Sequence, residues 1–202
     1  MRVSGFVRRY RFISSQAVLA MIGSLLIGGV ASAKANDSFA NIKIKNFGQM
    51  DERFYRGGQP QERDYQALAD LGIKMVIDLR DDPVSYEKSS VEALGMRYVN
   101  IPMSDSHYPA DAQIAEFLKV VNDPATGKFY VHCAGGRHRT GVAGAVYRYN
   151  FYGWDFDKVY KEMKDYDFYT RWGHGAMKDY VADYWQKIQE GKIQTVASAA
   201  TH

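Results

Sequence analysis

Residues 128–142 read KFYVHCAGGRHRTGV, and the fold turns on how they are read. Lys128–His132 is a short apolar run of the kind that fills a buried parallel strand. Gly135 and Gly136 permit a tight loop that bulkier residues would resist. From Gly141 onward the apolar spacing is helical, over about Val142–Phe151. A loop between a strand end and a helix start presents unpaired amide N–H groups with the helix dipole behind them, which makes an anion site. The same stretch contains Cys133, the one cysteine in a chain of 202 residues.

The strand–helix alternation continues on either side. FYRGGQP (Phe54–Pro60) is a brief extended piece ending in turn residues. Glu62–Gly72 reads as a helix with a glycine stop, Ile73–Leu79 as a buried strand, and Ser85–Leu94 as a helix halted by Gly95. Met96–Pro102 is the next strand, and Asp111 is placed to cap a helix through Asn122. Upstream, NIKIKNF (Asn41–Phe47) alternates like an edge strand. Downstream, Phe156–Lys164 and Ala176–Glu190 are helical, and Tyr166, Phe168, Tyr169 and Trp172 are expected to pack those helices together. This order specifies a single α/β domain with a mainly parallel central sheet flanked by helices on both faces. Ligands in such sheets gather at the carboxyl ends of the strands, where the cysteine loop lies.

The first 33 residues have the order of a secretory signal: Arg2, Arg8, Arg9 and Arg11, an apolar run from Ala17 to Val30, then Ala31-Ser32-Ala33. The run is shorter than the ~20 residues of a spanning helix and contains Gly23, Gly28 and Gly29, so cleavage after Ala33 is expected rather than stable membrane insertion. The expected layout is a leader over 1–33, one domain over 34–192 and a loose tail over 193–202. The expected location is periplasmic or secreted. The chain has 26 Lys+Arg against 23 Asp+Glu, and four of the basic residues lie in the leader, leaving 22. A near-neutral domain gives no global argument for nucleic acid, so any anion preference must be local.

A lone cysteine is most often a small buried hydrophobe, but in an exported protein an unpaired thiol is a liability unless it does chemistry. Here the amides that would hold a phosphate would also stabilise a thiolate, since helix N-termini and cations depress cysteine pKa values from ~8.5. The backbone of Ala134, Gly135 and Gly136 would cradle the anion. Arg139 supplies a planar fork that grips two phosphate oxygens at once. Phosphoryl transfer asks mainly for positioning and positive charge around the equatorial oxygens, so no metal or other cofactor is called for. Arg137 and His138 either face a substrate with more than one phosphate or turn away to brace neighbouring loops. A metal-ligand role for His132 and His138 is disfavoured, because they flank a loop that faces an anion. Leaving-group protonation needs an acid from another loop on the same sheet edge. IPMSDSHYP follows the strand Met96–Pro102 and supplies Asp105; Asp111 and His107 are weaker candidates. Arg56 and Arg80 sit at strand ends and are expected to anchor loops.

Cys133 through Gly141, preceded by His132, resembles the Cys-x5-Arg-Thr/Ser loop of the cysteine-dependent protein tyrosine and dual-specificity phosphatases. FYRGGQP followed by a helix and GIKMVIDLR resembles the opening half of the small atypical dual-specificity phosphatases of plants, fungi and bacteria, which also favour an ending like RHRTG. The resemblance implies that Cys133 is a nucleophile forming a cysteinyl-phosphate, that Arg139 binds the phosphate, and that Asp105 is the general acid. It further implies that Thr140 donates a hydrogen bond to the Cys133 sulfur and that His132 supports the loop. The implied substrate is a phosphorylated protein, with phosphotyrosine the default. Small polyanions such as inositol polyphosphates are the alternative, given weight by Arg137 and His138. A phosphate-binding module without catalysis and a rhodanese-like sulfurtransferase fit less well, because cysteine, arginine and acid are all present.

Overall fold

Phe129, Tyr130, Val131 and His132 have no measurable exposure, and they form the centre of the sheet. In the computed structural model residue 39 and residues 41–196 are described; the leader expected over residues 1–33 lies outside them. Five strands are present among the described residues: β1 (Gly48–Gln49), β2 (Phe54–Gly57), β3 (Met75–Arg80), β4 (Arg97–Met103) and β5 (Phe129–His132). Their order is β1-β2-β5-β3-β4. All neighbours pair in parallel except β1 and β2. Being covered on both faces, β5 reads as a continuous apolar run rather than an alternating one.

The helices are α1 (Tyr65–Asp70), α2 (Glu87–Ala93), α3 (Asp111–Asn122), α4 (Arg139–Tyr152), α5 (Phe156–Asp165) and α6 (Gly175–Gln189). One apolar cluster joins Ile77, Val131 and Phe129 to residues of α3, α4, α5 and α6. A second joins Val76, Tyr55 and Tyr130 to Tyr65 and Leu68 at α1 and Val91 of α2. The two-faced α/β layout expected from the sequence is therefore the fold. No helix among the described residues is long and apolar enough to cross a membrane.

Several local expectations need correction. Asn41–Phe47 is not a strand; the antiparallel edge is the two-residue β1 that follows it. Its alternation reports the half-buried Ile42 and buried Ile44 facing the second cluster, and Asn46 at φ 56° turns the chain out of extended geometry. Asp111 is the first helical residue of α3, not its cap: Ala110 holds that place, and its amide donates to Gln113 Oε1 at 2.8 Å. Helix α4 begins at Arg139, three residues before its apolar pattern starts. The expected loose tail is partly docked, with Ile193 against the main cluster and Thr195 only 6% exposed.

The function of FYRGGQP is visible in its contacts. Gly57 and Gly58 lie against the back of the loop after β5: the Gln59 amide donates to the Ala134 carbonyl at 3.2 Å. Arg56 Nη2 and Asn46 Nδ2 donate to the Gly136 carbonyl at 2.7 and 2.9 Å. Gly136 adopts φ +66°, and a Cβ there would meet the Gly57 carbonyl carbon at 2.3 Å. Left-handed backbone alone costs a side-chain-bearing residue ~1–2 kcal/mol, and this neighbour is backbone that cannot swing aside. Gly136→Ala is therefore expected to lower the thermal unfolding midpoint well beyond that of Gly175→Ala, whose Cβ would meet nothing within 4 Å. Equal midpoints in calorimetry would contradict this packing.

Candidate active site

The turn from β5 into α4 carries the site. Cys133 is only 3% exposed and lies on the wall of a cavity of about 190 Å³ shared with Ala134, Gly135, Arg137, His138 and Arg139 of its own loop and with Asp105, Tyr169 and His174. Burial by itself would raise the thiol pKa. The Thr140 hydroxyl and amide, the Arg139 charge and the Arg137 amide pull the other way, and the net effect is a lowered value. The Thr140 hydroxyl is buried with no hydrogen bond to another group among the described residues, and its proximity to the sulfur is one of the causes of the lowered value.

Arg139 is anchored by one nitrogen. Its Nη1 donates to Asp81 Oδ1 at 2.7 Å and to the Met103 carbonyl at 3.1 Å, so it ties together the loops after β3 and β4. Among the described residues Nε and Nη2 make no hydrogen bond, which leaves the edge of the guanidinium for two oxygens of a ligand. Asp81 was not singled out from the sequence; one of two adjacent aspartates after a strand carries no signal of which will turn inward. Arg80 and Arg56 do anchor loops. Arg80 forks onto Asp82 at 3.1 and 2.8 Å and donates to Gln59 Oε1 at 3.0 Å. Arg56, besides its bond to Gly136, lies 4.0 Å from the centre of the Tyr166 ring.

His132 points away from the cavity, into the protein. Its Nε2 lies 2.8 Å from Glu87 Oε1, and its Nδ1 lies 3.8 Å from Asp78 Oδ1, with all three side chains fully buried. Burial pushes both carboxyls up; contact with His132 and bonds from Gln59 and Tyr65 bring Glu87 down overall, whereas Asp78 stays raised. Among the described residues these three are the group whose ligand atoms, within 4.8 Å of one another, could share a metal ion. Gln59 Nε2 at 3.0 Å donates to Glu87, and Tyr98 Oη at 3.0 Å and the Arg80 amide at 2.9 Å donate to Asp78, whereas the two His132 nitrogens and Glu87 Oε1 meet only as ion-pair neighbours without hydrogen-bond geometry. Removing one partner from such a buried set typically costs ~3–5 kcal/mol, so His132 braces the strand end on which Cys133 is mounted.

The remaining sequence-predicted residues divide. Asp105 reaches the cavity from the loop after β4, although β3 stands between β4 and β5. Its carboxylate has no bonding partner among the described residues. His107 is instead held by Ser104 Oγ at 2.8 Å. Gly136 does not line the cavity; its carbonyl is committed to Arg56 and Asn46 behind the loop. His138 lines the cavity edge but is a brace, stacked on His174 with ring centres 3.6 Å apart and planes 9° apart. Burial and then the neighbouring His174 depress its pKa to about 4.

Two lining residues, Tyr169 and His174, depart from the sequence reading, which gives Tyr169 a helix-packing role and does not single out His174. Both come from the segment between α5 and α6, which has no periodicity to betray it. Phe168 packs in the main cluster as expected, whereas Tyr166 lies against Arg56 of β2 and Gly48 of β1 rather than between the last helices. Tyr169 faces the cavity instead, and Trp172 is 77% exposed at φ 58°, so it packs neither helix. His174 Nδ1 donates to the Asp105 carbonyl at 2.7 Å, coupling the acid-bearing loop to the cysteine loop through the histidine stack.

The amino-acid sequence over residues 30–194 matches the family described as a DSP-PTPase phosphatase fused to NAD+ kinase. The chain belongs to that family. It is a cysteine-dependent phosphatase of the tyrosine and dual-specificity superfamily. The dual specificity protein phosphatase TpbA of Pseudomonas aeruginosa is 26% identical over 159 residues, which is 72% of this chain and 68% of TpbA. The inositol diphosphatase DSP1 of Oryza sativa subsp. japonica is 32% identical over 109 residues, covering 50% of this chain and 48% of DSP1. The core catalytic domain of the PP-IP phosphatase SIW14 from S. cerevisiae superimposes with a TM-score of 0.62 at 18% identity, over 74% of this chain and 90% of that one. At that identity the superposition speaks for the fold alone.

Two predictions follow from the geometry. The thiolate is the reactive form, so alkylation by iodoacetamide rises with pH through the thiol pKa. The lowered value places that rise below the ~8.5 of a free thiol, and Thr140→Val, which deletes a stabilising hydroxyl, moves it upward; an unmoved profile would exclude the Thr140 contact. His174→Ala frees the Asp105 loop and should reduce turnover of an aryl phosphate about tenfold through misplacement alone. In an Asp105→Asn background the same change should have little effect, because coupled residues are not additive; a full tenfold loss there would place His174 outside the Asp105 linkage.

Proposed function

We propose that this protein is an exported, metal-independent phosphatase that hydrolyses phosphate monoesters through a cysteinyl-phosphate intermediate, with phosphotyrosine among its substrates. The observation that carries the reading is the buried Cys133 sulfur, drawn toward its thiolate by Thr140 and Arg139, in one cavity with the unpartnered Asp105 carboxyl. The sulfur attacks phosphorus, the P–S bond forms as the ester P–O bond breaks, and Asp105 delivers its proton to the departing oxygen. Water then attacks phosphorus, Asp105 accepts a proton from it, and the P–S electrons return to Cys133, whose charge Thr140 and Arg139 stabilise. The Nε and Nη2 edge of Arg139 and the amides from Ala134 onward hold the equatorial oxygens in both steps.

The similarity to TpbA supports a dual-specificity substrate range. A second reading, small polyanionic phosphates, is favoured by Arg137, which flanks both the cavity and a basic depression beside it, and by the similarity to the inositol diphosphatase DSP1. Export rests on the leader sequence read above.

Hydrolysis of p-nitrophenyl phosphate and of phosphotyrosine by the full chain, in chelator and reductant, tests the chemistry. Cys133→Ser should abolish both. Asp105→Asn should lower phosphotyrosine turnover by ~10²-fold or more and affect the better leaving group less. Activity that needs added metal, or that survives Cys133→Ser, would overturn the mechanism. Cell fractionation with N-terminal sequencing tests export, for which Lys34 is the expected first residue.

A further inference from the structure

The loop that carries Asp105 covers residues 104–110, between β4 and α3. Two side-chain hydrogen bonds reach it from the far end of the chain, and both involve α6 or its cap. The first is the bond from His174, the N-cap of α6, to the Asp105 carbonyl. The second lies three residues further along the loop, where the Tyr108 hydroxyl donates to Asp183 Oδ2 at 2.7 Å. The Tyr108 ring also stands edge-on to Tyr180, with centres 5.6 Å apart and planes at 83°. Asp183 comes nine residues after His174, roughly 13 Å further along a helix. The loop is thus held at two separated points on one helix. Tyr108 is 48% exposed, so burial alone gives little reason for its placement. The bond to Asp183, with partial burial and the nearby Asp179, pushes its phenol up to about 12, so it remains a donor throughout the neutral range. Helix α6 is a firm mount: Tyr180, Val181 and Tyr184 are buried. From α4, the Tyr149 hydroxyl donates to the Val181 carbonyl at 3.3 Å and Asn150 Nδ2 to the Tyr184 hydroxyl at 2.9 Å. Helix α4 opens with Arg139. Contacts therefore run from the phosphate-gripping arginine, through two packed helices, to the loop that bears the acid.

We propose that Tyr108 is a positioning residue for proton delivery: its bond to Asp183 registers the 104–110 loop on α6 so that the Asp105 carboxyl meets the leaving oxygen. The inference rests on the reading of Asp105 as the general acid. Tyr108 does not line the cavity, so it acts through Asp105 and takes no part in holding phosphate or in the attack by Cys133. Its effect must therefore grade with the leaving group. A poor leaving group such as phenol needs the proton as the P–O bond breaks, whereas p-nitrophenol departs well with less help.

The test measures kcat/KM for phenyl phosphate and for p-nitrophenyl phosphate in the full chain and in Tyr108→Phe, Asp183→Leu, Asp183→Asn and Asp105→Asn. Loss of one hydrogen bond of ordinary strength should lower the phenyl phosphate value about fivefold in Tyr108→Phe and in Asp183→Leu. The p-nitrophenyl phosphate value should stay within about twofold in both. Asp183→Asn keeps an acceptor oxygen and should recover most of the loss. Tyr108→Phe added to Asp105→Asn should cost nothing further, because the two act through one proton. Tyr108→Phe keeps the ring against Tyr180, so its unfolding midpoint should stay at the wild-type value and the kinetic comparison holds even if Asp183→Leu folds poorly. An equal loss on both esters, as a merely structural role would give, overturns the proposal. So does a full fivefold loss in the Asp105→Asn background. An unchanged Tyr108→Phe beside an Asp105→Asn that strongly separates the two esters overturns the role of Tyr108 and leaves the acid standing. An Asp105→Asn that separates them no more than the wild type does removes the acid reading, and the role of Tyr108 falls with it.

Discussion

The catalytic loop can curve only because two stretches of backbone touch where side chains would ordinarily keep them apart. Gly136, at φ +66°, lies against Gly57 and Gly58 so closely that a Cβ would come within 2.3–2.6 Å of backbone atoms. That contact sets the rest. It brings the Gly136 carbonyl to Arg56 and Asn46 behind the loop, and the amide of that same peptide, Arg137 N–H, is thereby turned toward the Cys133 sulfur. The strand pairing of β2 with β5, four residues deep, delivers Gly57 opposite His132 and so fixes the approach in register. Sheet topology, rather than loop sequence alone, thus shapes the anion site.

Around this frame the charges are arranged by depth. Beneath the loop, His132 lies between Glu87 and Asp78 in a volume closed to solvent. At the cavity wall, Arg139 joins the loops after β3 and β4 by a single nitrogen. At the rim, Arg137 is held weakly. Rigid pairing below and loose pairing above is what a site needs if its scaffold must not move while its ligand comes and goes. Buried ion sets are costly to break, and exposed ones exchange readily with water and substrate.

How far the sequence could be read follows from how local each signal was. Cys133, Arg139 and Thr140 share one strand–loop–helix segment, so spacing alone brings them together. Asp105 was legible because its loop leaves the same edge of a parallel sheet, although its strand lies two places from β5. Glu87 lies in EKSSVEA, a stretch polar enough to pass for a solvated helix, and only the tertiary approach of α2 to β5 buries it. His174 and Tyr169 come from an aperiodic connection whose path depends on stacking against His138. Asn41–Phe47 shows the opposite failure, in which real burial of alternate residues was mistaken for strand pairing that Asn46 prevents. Periodicity reports which faces are covered; it is silent on which partner covers them.

The depth of the Cys133 sulfur has a redox consequence. At 3% exposure, on the wall of a cavity lined by amides and an arginine edge, it is reached only through the opening the phosphate uses. An oxidant must therefore be small enough to enter that opening, as peroxide is. A bound phosphate closes the same path, so a working enzyme and an oxidisable one are different occupancy states. No second cysteine exists in the chain to trap a sulfenic acid as a disulfide, so protection against over-oxidation falls to the ligand itself.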